Sequence, residues 1–316
     1  MILVTGGLGF IGLHTARALL DLGETCVLTQ YRVAREPDFI KDEVGKRVFI
    51  EQLDVTDTES FMAIGKKHHI DGIVHLAVPG LGALSPADDF RVNMNGLLNA
   101  LQAAQDWEVK RIGIASSLAV YSGVRELPYR EDMPLPMTGG NPTEAFKKSY
   151  EILGTHFAGR TGIDLVNLRI AGIWGPLYHS MANLPSKLVH AAVKGEKPNL
   201  EGPRGVPYAE DGGDMCYVKD CGRGIALLQV AEKLNHRTYN IASGRATRNE
   251  DLVAAVHKVL PDAELELPAG HAPNSPGEVP YLDLSWIHED TGFEPQYSTE
   301  SGIADYVGWL QAGNAE

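Results

Sequence analysis

The stretch TGGLGFIG at positions 5–12 decides how the start of this chain folds. It follows the apolar residues ILV at positions 2–4 and leads into an amphipathic stretch through Leu13, Ala16, Leu19 and Leu20. A strand, a glycine turn and a helix in this order bring backbone N–H groups and the positive end of a helix against a pyrophosphate. Gly6, Gly9 and Gly12 would provide a tight turn, close approach to phosphate, and close helix–strand packing. The stretch therefore predicts a nucleotide-binding turn.

Composition and charge exclude several classes of partner. The chain has 316 residues, of which 44% are hydrophobic and 22% charged, as in a globular protein with a sizeable core. Lys and Arg number 28 against 41 Asp and Glu, and the net charge of −13 argues against nucleic acids or anionic membranes as partners. Cys26, Cys216 and Cys221 are too few for a zinc site, and no apolar run reaches about 18 residues. We expect a cytoplasmic protein with reduced thiols and no metal.

Short apolar segments alternate with helical segments along the first half of the chain. We expect strands at 25–28, 47–50, 72–76, 111–115 and 164–170, and helices at 58–68, 97–104 and 145–158. Such alternation is typical of a parallel sheet with helices on both faces, whose ligand lies over the carboxyl ends of the strands. The predicted fold class is α/β, a Rossmann-type doubly wound parallel sheet with a smaller C-terminal α/β substrate lobe.

The regular alternation fades after Gly175-Pro176. Beyond it we expect a helix at 184–194, strands at 217–218 and 239–241, and otherwise loops rich in Pro and Gly. We therefore predict a dinucleotide-binding domain formed by residues 1–171 and 212–243. Residues 172–211 and 244–316 would form the substrate-binding lobe.

Several motifs together resemble the extended branch of the short-chain dehydrogenase/reductase family, which includes sugar-nucleotide epimerases and dehydratases. They cover nearly the whole chain: TGGLGFIG, LDVTD at 53–57, VHLA at 74–77, Asn93 with Gly96, SSLAVY at 116–121, LRIAGIWGP at 168–176, and a tail of the form DLS…TGF…GI…W. The resemblance implies hydride transfer with a nicotinamide cofactor.

The family's catalytic set is a Ser or Thr, a Tyr and a Lys, with the Tyr and Lys in a YxxxK spacing. The resemblance places Ser117 at the first position, Lys147 at the lysine, and Thr143 where the tyrosine is expected. It implies that these three are catalytic, and that Ser117 and Thr143 contact the substrate. An aliphatic hydroxyl is a far weaker acid than a phenol, so Thr143 can donate a hydrogen bond but is a poor general base. An alternative register pairs Glu144 with Lys148.

The resemblance also implies a set of residues that contact the cofactor. They are Gly6, Gly9, Phe10, Ile11, Gly12, Gln30, Arg32, Asp54, Val55, Leu76, Ala77, Asn93, Lys147 and Ile170. An acidic residue at the end of the second strand would favour NAD, and a nearby Arg accommodates the 2′-phosphate of NADP. Here Gln30 holds that position with Arg32 and Arg35 close behind it. The cofactor is therefore NAD or NADP.

The substrate is defined less closely. Leu118-Ala119 replaces the Asp-Glu pair of the dehydratase subclass, which argues against a 4,6-dehydratase. Arg204 and Tyr208 are candidate substrate contacts in the second lobe. The leading hypothesis is an NAD(P)-dependent epimerase or dehydrogenase acting on a sugar, sugar nucleotide or related polyol. The alternatives are a nucleotide-binding protein with weak or no redox activity, and a carbonyl reductase for a small non-sugar substrate. By analogy with the family, we expect a homodimer formed by the helices at 97–104 and 145–158.

Overall fold

A seven-stranded parallel sheet forms the centre of the molecule. The computed structural model describes residues 1–31, 38–80, 82, 84–202 and 205–314. The sheet strands are β1 Ile2–Thr5, β2 Cys26–Gln30, β3 Val48–Gln52, β4 Gly72–His75, β5 Arg111–Ser117, β6 Leu165–Ile170 and β10 Thr238–Ile241. Their order across the sheet is β10-β6-β5-β4-β1-β2-β3. The order reverses between β1 and β4, which is where a doubly wound sheet opens a ligand crevice.

Two small two-stranded sheets lie outside the central one. They pair β7 Gly172–Trp174 with β9 Met215–Tyr217, and β8 Gly212–Gly213 with β11 Thr247–Arg248. The sequence predicts a strand at 217–218, but Val218 is the first residue of a helix. The fold-class prediction, an α/β Rossmann-type sheet, is confirmed.

Helices surround the sheet and build the second lobe. They are α1 Phe10–Asp21, α2 Thr58–Lys67, α3 Pro86–Asp106, α4 Pro142–Thr161, α5 Leu184–Lys194, α6 Val218–Val230, α7 Asn249–Val259, α8 Ser285–Thr291 and α9 Thr299–Gln311, with short 3-10 helices at Asp38–Glu43 and Leu118–Tyr121. Side-chain caps fix where several helices start. The Asn141 side chain accepts a hydrogen bond from the Glu144 amide, so α4 starts before position 145, where the sequence predicts it. Thr143 therefore lies in the first turn of α4. None of the described helices is long and apolar enough to cross a bilayer.

Both faces of the sheet are covered by helices. Helices α1 and α6 pack on one face, and α2, α3 and α4 on the other. Helices α1 and α6 approach so closely that a Cβ on Gly222 would lie 2.5 Å from the His14 carbonyl carbon. Glycine is needed there because any side chain would separate the two helices.

A separate hydrophobic cluster lies among α5, α7 and α9. Its largest members are Trp174, Tyr217 and Tyr306, and the first two rings meet edge to face at 4.9 Å between centroids. This cluster involves the segments assigned to the smaller lobe together with Met215 and Tyr217. The exact domain boundaries remain a prediction.

Candidate active site

A cleft of about 660 Å³ opens at the carboxyl ends of β1, β2 and β4. It is lined by Gly6, Leu8, Gly9, Thr29, Gln30, Tyr31, Leu53, Asp54, Val55, Thr56, Leu76, Ala77, Val78, Pro79, Gly80, Leu84 and Val92. Seven of the residues predicted to contact a cofactor are among them: Gly6, Gly9, Gln30, Asp54, Val55, Leu76 and Ala77. The cleft lies at the point where the strand order reverses.

The glycine turn at one side of the cleft leaves no room for a Cβ at Gly7 or Gly12. Gly6 has φ +67°, a left-handed conformation that favours glycine, and its amide donates to Thr29 Oγ1 at 3.0 Å. A Cβ on Gly12 would lie 2.3 Å from the Gly6 carbonyl oxygen. Phe10 and Ile11 begin α1, where the first amides have no acceptor within the helix. The turn is therefore shaped to receive an anion.

Gln30 and Asp54 mark the other end of the cleft. In the part of the chain that the structure describes, Gln30 Oε1 is buried and has no hydrogen-bond partner. Asp54 Oδ1 accepts from the Thr56 amide at 2.9 Å and the Thr56 hydroxyl at 2.7 Å. Although burial raises it, these hydrogen bonds bring the pKa of the Asp54 carboxyl below its usual range. Arg32 and Arg35 lie outside the described residues.

Lys147 is a wholly buried amine near the end of β4. Its Nζ donates to the Ala115 carbonyl oxygen at 2.7 Å and lies 4.9 Å from the centroid of the Tyr150 ring. No carboxylate pairs with it among the described residues. Burial lowers the pKa of Lys147 to about 7, because an ammonium loses its hydration there.

His75, the last residue of β4, is buried close to this amine. Its Nδ1 is 2.9 Å from Thr5 Oγ1, and within the described ranges its Nε2 has no hydrogen-bond partner. Burial, with a smaller contribution from the charge of Lys147, lowers the pKa of His75 to about 3. The residues that follow it, Leu76 and Ala77, line the cleft. The cleft residues Leu76 and Ala77 therefore directly follow a residue that interacts electrostatically with Lys147.

Ser117 and Thr143 lie on the two elements that meet at Lys147. Ser117 ends β5, two residues after Ala115, whose carbonyl oxygen accepts from Lys147 Nζ. Its Oγ accepts from the Ala119 amide at 3.2 Å. Thr143 is half-buried and lies one turn before Lys147 on α4, so the two share a helix face. The structure thus places Ser117 at the end of β5, and Thr143 and Lys147 on one face of α4, the helix whose Lys147 contacts β5.

The alternative register, Glu144 with Lys148, forms a closed ion pair. Glu144 Oε1 lies 2.7 Å from Lys148 Nζ and accepts from the Thr138 hydroxyl at 2.5 Å, while Oε2 accepts from the Gly140 amide at 3.0 Å. The Lys148 hydrogen bond, with those from Thr138 and Gly140, holds the pKa of Glu144 at about 2. A carboxylate held in this way is a poor base near neutral pH.

The nearby tyrosines do not supply the missing phenol. The Tyr121 hydroxyl donates to Asn240 Oδ1 at 2.8 Å and accepts from Arg169 Nη1 at 2.9 Å. The Tyr150 hydroxyl donates to the Asn93 carbonyl oxygen at 3.0 Å. Burial raises the pKa of both phenols, that of Tyr121 to about 12.

A buried ionic network fixes α4 to the sheet. Arg169 on β6 donates to both carboxylate oxygens of Glu151, at 2.9 and 2.8 Å, and Ser116 donates to the same carboxylate at 2.5 Å. Glu151 lies one helical turn after Lys147. The network therefore holds the helix that carries Lys147 and Thr143 in register with the end of β5.

Asn93, Ile170 and Tyr208, which the sequence also predicts as site residues, are not among the residues that line the cleft. Asn93 is fully buried between α3 and α4, where its Nδ2 donates to the Asp89 carbonyl oxygen. Ile170 is buried at the end of β6. Tyr208 is half-buried in the second lobe, and its carbonyl oxygen accepts from Asn249 Nδ2. Arg204 lies outside the described residues. No group of three or more His, Cys, Asp or Glu side chains suited to a metal occurs in the described part of the chain.

Sequence reasoning missed several cleft residues. Thr29 and Tyr31 flank Gln30, Thr56 holds Asp54, and Val78 to Gly80 follow β4. Thr56 lies in the LDVTD motif, and the signal of the others is their position at the carboxyl end of a strand, which marks the ligand side of a parallel sheet.

Comparison with known proteins places these features in one family. The model of the NAD-dependent epimerase/dehydratase family matches residues 2–242. The UDP-glucose 4-epimerase of Mus musculus is 26% identical, with 98% of this chain and 96% of the relative covered. That of Bacillus subtilis is 27% identical, with the same shares covered.

This chain is also similar to solved structures. The UDP-glucose 4-epimerase of Thermotoga maritima, solved with UDP-glucose, has a TM-score of 0.82 at 25% identity and 99% coverage of both chains. The Bifidobacterium longum UDP-glucose 4-epimerase, in complex with NAD⁺ and UDP, has a TM-score of 0.78 at 22% identity and 98% coverage of both. The second likeness shows the fold alone.

Proposed function

This chain belongs to the NAD-dependent epimerase/dehydratase family, and on that premise we propose that it is an NAD-dependent epimerase or dehydrogenase acting on a sugar, sugar nucleotide or related polyol by hydride transfer. The predicted resemblance to the extended short-chain dehydrogenases/reductases is confirmed by that membership, and so is the prediction of an enzyme. The observation that carries the proposal is the cleft at the strand-order reversal, with a glycine turn on one side.

The residues present fit NAD. The turn around Gly6 and Gly12 is a cradle that a Cβ would fill, and the amides of Phe10 and Ile11 would face the pyrophosphate. Asp54 and Val55 would contact the adenine, and Leu76 and Ala77 would lie beneath the dinucleotide. NAD supplies reversible hydride transfer when bound.

Gln30 favours NAD over NADP. Its Oε1 is buried without a partner among the described residues and can accept from a ribose hydroxyl. A 2′-phosphate would bring negative charge against that oxygen and leave it unpaired. Leaving a buried acceptor unpaired costs about 1–3 kcal/mol, so we expect NAD⁺ to bind at least about fivefold more tightly than NADP⁺.

Three residues would handle the substrate. The Ser117 hydroxyl donates to the substrate oxygen and stabilises the forming carbonyl. The Thr143 hydroxyl makes a second hydrogen bond to that oxygen, and Lys147 contacts the nicotinamide ribose. Tyr208 and Arg204 would hold the rest of the substrate in the lobe formed by residues 172–211 and 244–316.

The direct test combines cofactor titration with a substrate panel. Calorimetry with NAD⁺ and NADP⁺ should show binding with the stated preference. The holoprotein is then incubated with UDP-glucose, other nucleotide sugars, free sugars and polyols, while NADH absorbance and product NMR are followed. Epimer formation or cofactor reduction supports the proposal. Binding of NAD⁺ with no turnover on any member of the panel would favour the nucleotide-binding protein instead.

Replacing Ser117 by alanine is expected to lower kcat by roughly ten- to a hundredfold. A hydrogen bond to a charged group contributes about 1.5–3 kcal/mol, and 1.36 kcal/mol is tenfold in rate. Since Ser117 also caps a short helix, Ser298→Ala is the matched control: it removes the cap of α9 and should leave kcat unchanged. Equal kcat values in Ser117→Ala and wild type would remove Ser117 from the reaction.

We also propose a homodimer formed by α3 and α4. Four large apolar side chains on these helices are exposed: Phe90 by 60%, Leu98 by 56%, Ile152 by 55% and Leu153 by 45%. Exposed apolar side chains clustered on packed helices are typical of an interface. Light scattering should give twice the chain mass for wild type and the single chain mass for Phe90→Asp with Ile152→Asp. A wild-type monomer at micromolar concentration would contradict this assembly.

A further inference from the structure

Lys147 is buried without a counter-ion, in contrast to the lysine next to it. Its Nζ has one hydrogen bond, to the Ala115 carbonyl oxygen at 2.7 Å, and no carboxylate among the described residues pairs with it. Lys148 is also buried but pairs with Glu144 at 2.7 Å. A buried ammonium with no anion is costly, whereas the neutral amine is not. Burial accordingly lowers the pKa of Lys147 to about 7.

We propose that the Lys147 amine is the proton acceptor of the reaction and takes the role that a phenol at position 143 would have. The inference rests on the proposed function, because it assumes a substrate hydroxyl beside Ser117 and Thr143. The carbinol O–H proton passes to the Nζ lone pair as the carbinol C–H bond breaks and its hydride goes to NAD⁺. The substrate is oxidised by two electrons to the carbonyl compound, the cofactor is reduced, and the ammonium returns the proton when the hydride is returned.

The position of Lys147 supports its role as the proton acceptor. Lys147 shares a face of α4 with Thr143, and its Nζ lies against β5 two residues before Ser117. A hydroxyl held by Ser117 and Thr143 would therefore lie close to the amine, directly or through the Thr143 hydroxyl. An amine that is neutral near pH 7 can accept a proton, and lysines that act as bases owe this property to burial.

Neighbouring groups do not compete for the proton. Glu144 is held as a carboxylate by Lys148, Thr138 and Gly140. Among the groups that face Lys147, His75 on β4 has a pKa lowered to about 3, chiefly by burial, and Tyr150 on its own helix has a pKa raised by burial. Ala115 on β5 offers only its carbonyl oxygen. Of these groups, Lys147 is the one whose pKa lies close to neutrality.

NMR of the wild-type protein tests the protonation state without any cofactor. Lysine labelled with ¹³C at the ε carbon is incorporated, the Lys147 resonance is assigned by its absence in Lys147→Arg, and the pH is varied. We expect that resonance to titrate with a midpoint near 7. A midpoint at the ordinary lysine value, about 10.4, would overturn the proposal.

Unfolding equilibria provide an independent readout. In the native state Lys147 loses its proton near pH 7, and in the unfolded chain near 10.5, so the unfolded state binds more protons between these values and stability rises with pH. Relative to Lys147→Met, the wild-type unfolding constant in urea should fall about tenfold per pH unit between pH 7.5 and 9.5. The control, Lys66→Met, removes an exposed ammonium and should leave the wild-type slope unchanged. Parallel pH dependence in wild type and Lys147→Met would refute the inference.

Single-turnover kinetics connect the amine to the chemistry. With a substrate found in the panel above, the rate of NAD⁺ reduction should rise with pH through a midpoint near 7 in wild type. Lys147→Met should lose that rate by at least about 100-fold, the low end of what general acid–base catalysis contributes. A protein that binds NAD⁺ and turns over while Lys147 titrates near 10.4 disproves the lysine's role and leaves the proposed function intact. Absence of NAD⁺ binding removes the proposed function, whatever the NMR midpoint.

Discussion

Replacing Gly12 by valine is expected to weaken NAD⁺ binding at least about 100-fold. A Cβ at this position would lie 2.3 Å from the Gly6 carbonyl oxygen and 2.7 Å from Gly7 Cα. Both are backbone atoms, so the turn itself must move away from α1. The displaced amides would no longer converge on a pyrophosphate, and a 100-fold loss of affinity corresponds to about 2.8 kcal/mol. Calorimetry on the purified variant measures the loss.

The matched control for this substitution is Gly159→Ala. Gly159 lies inside α4, and a Cβ there would meet nothing within 4 Å. Alanine is a better helix former than glycine, so this variant should be more stable by about 0.5–1 kcal/mol and bind NAD⁺ like wild type. A folded Gly12→Val protein whose NAD⁺ affinity stays within threefold of wild type would show that the turn does not hold the cofactor.

Replacing Arg169 by methionine is expected to lower the free energy of unfolding by about 3–5 kcal/mol. The substitution leaves the Glu151 carboxylate, whose side chain is 11% exposed, without its cation. Removing one partner of a buried ion pair leaves an uncompensated charge, and this is the reason for the large cost. It also removes the donor to the Tyr121 hydroxyl. Urea unfolding monitored by circular dichroism gives the value.

Two further variants show how much of the loss of stability comes from the buried charge. Arg17→Met breaks an exposed pair with Asp21 and should change stability by less than about 1 kcal/mol. Adding Glu151→Leu to Arg169→Met should recover much of the loss, because no charge then remains buried. If the free energy of unfolding of Arg169→Met lies within about 1 kcal/mol of the wild-type value, the network does not fix α4 to the sheet.

The sheet and its phosphate turn could be predicted because their signals are local. Positions 2–12 hold a strand, a glycine turn and a helix start within one continuous stretch, and the structure has β1 and α1 there. Strand and helix periods are equally local properties of the chain. The helix start of α4 was placed too late because the cap at Asn141 is a single side-chain hydrogen bond.

The roles of the α4 side chains could not be predicted, because they depend on contacts with distant parts of the chain that no local sequence pattern encodes. The sequence left open whether Lys147 or Lys148 faces the site. Only the fold shows that Lys148 is paired with Glu144 while Lys147 points at a carbonyl oxygen on β5. Likewise, Glu151 and Arg169 are 18 residues apart and on different elements. The Asn93 side chain donates to the Asp89 carbonyl oxygen and accepts from the Tyr150 hydroxyl, and its contact with the cofactor stays a prediction.

The most direct test of the account is amide hydrogen exchange with and without NAD⁺. The claim is that the dinucleotide contacts the amides at the start of α1 and the segment after β4. Saturating NAD⁺ should slow exchange in peptides covering residues 6–13 and 76–80, since bound amides exchange only when the complex opens. Unchanged exchange in both segments, in a sample that calorimetry shows to be saturated, would place the cofactor elsewhere and contradict the account.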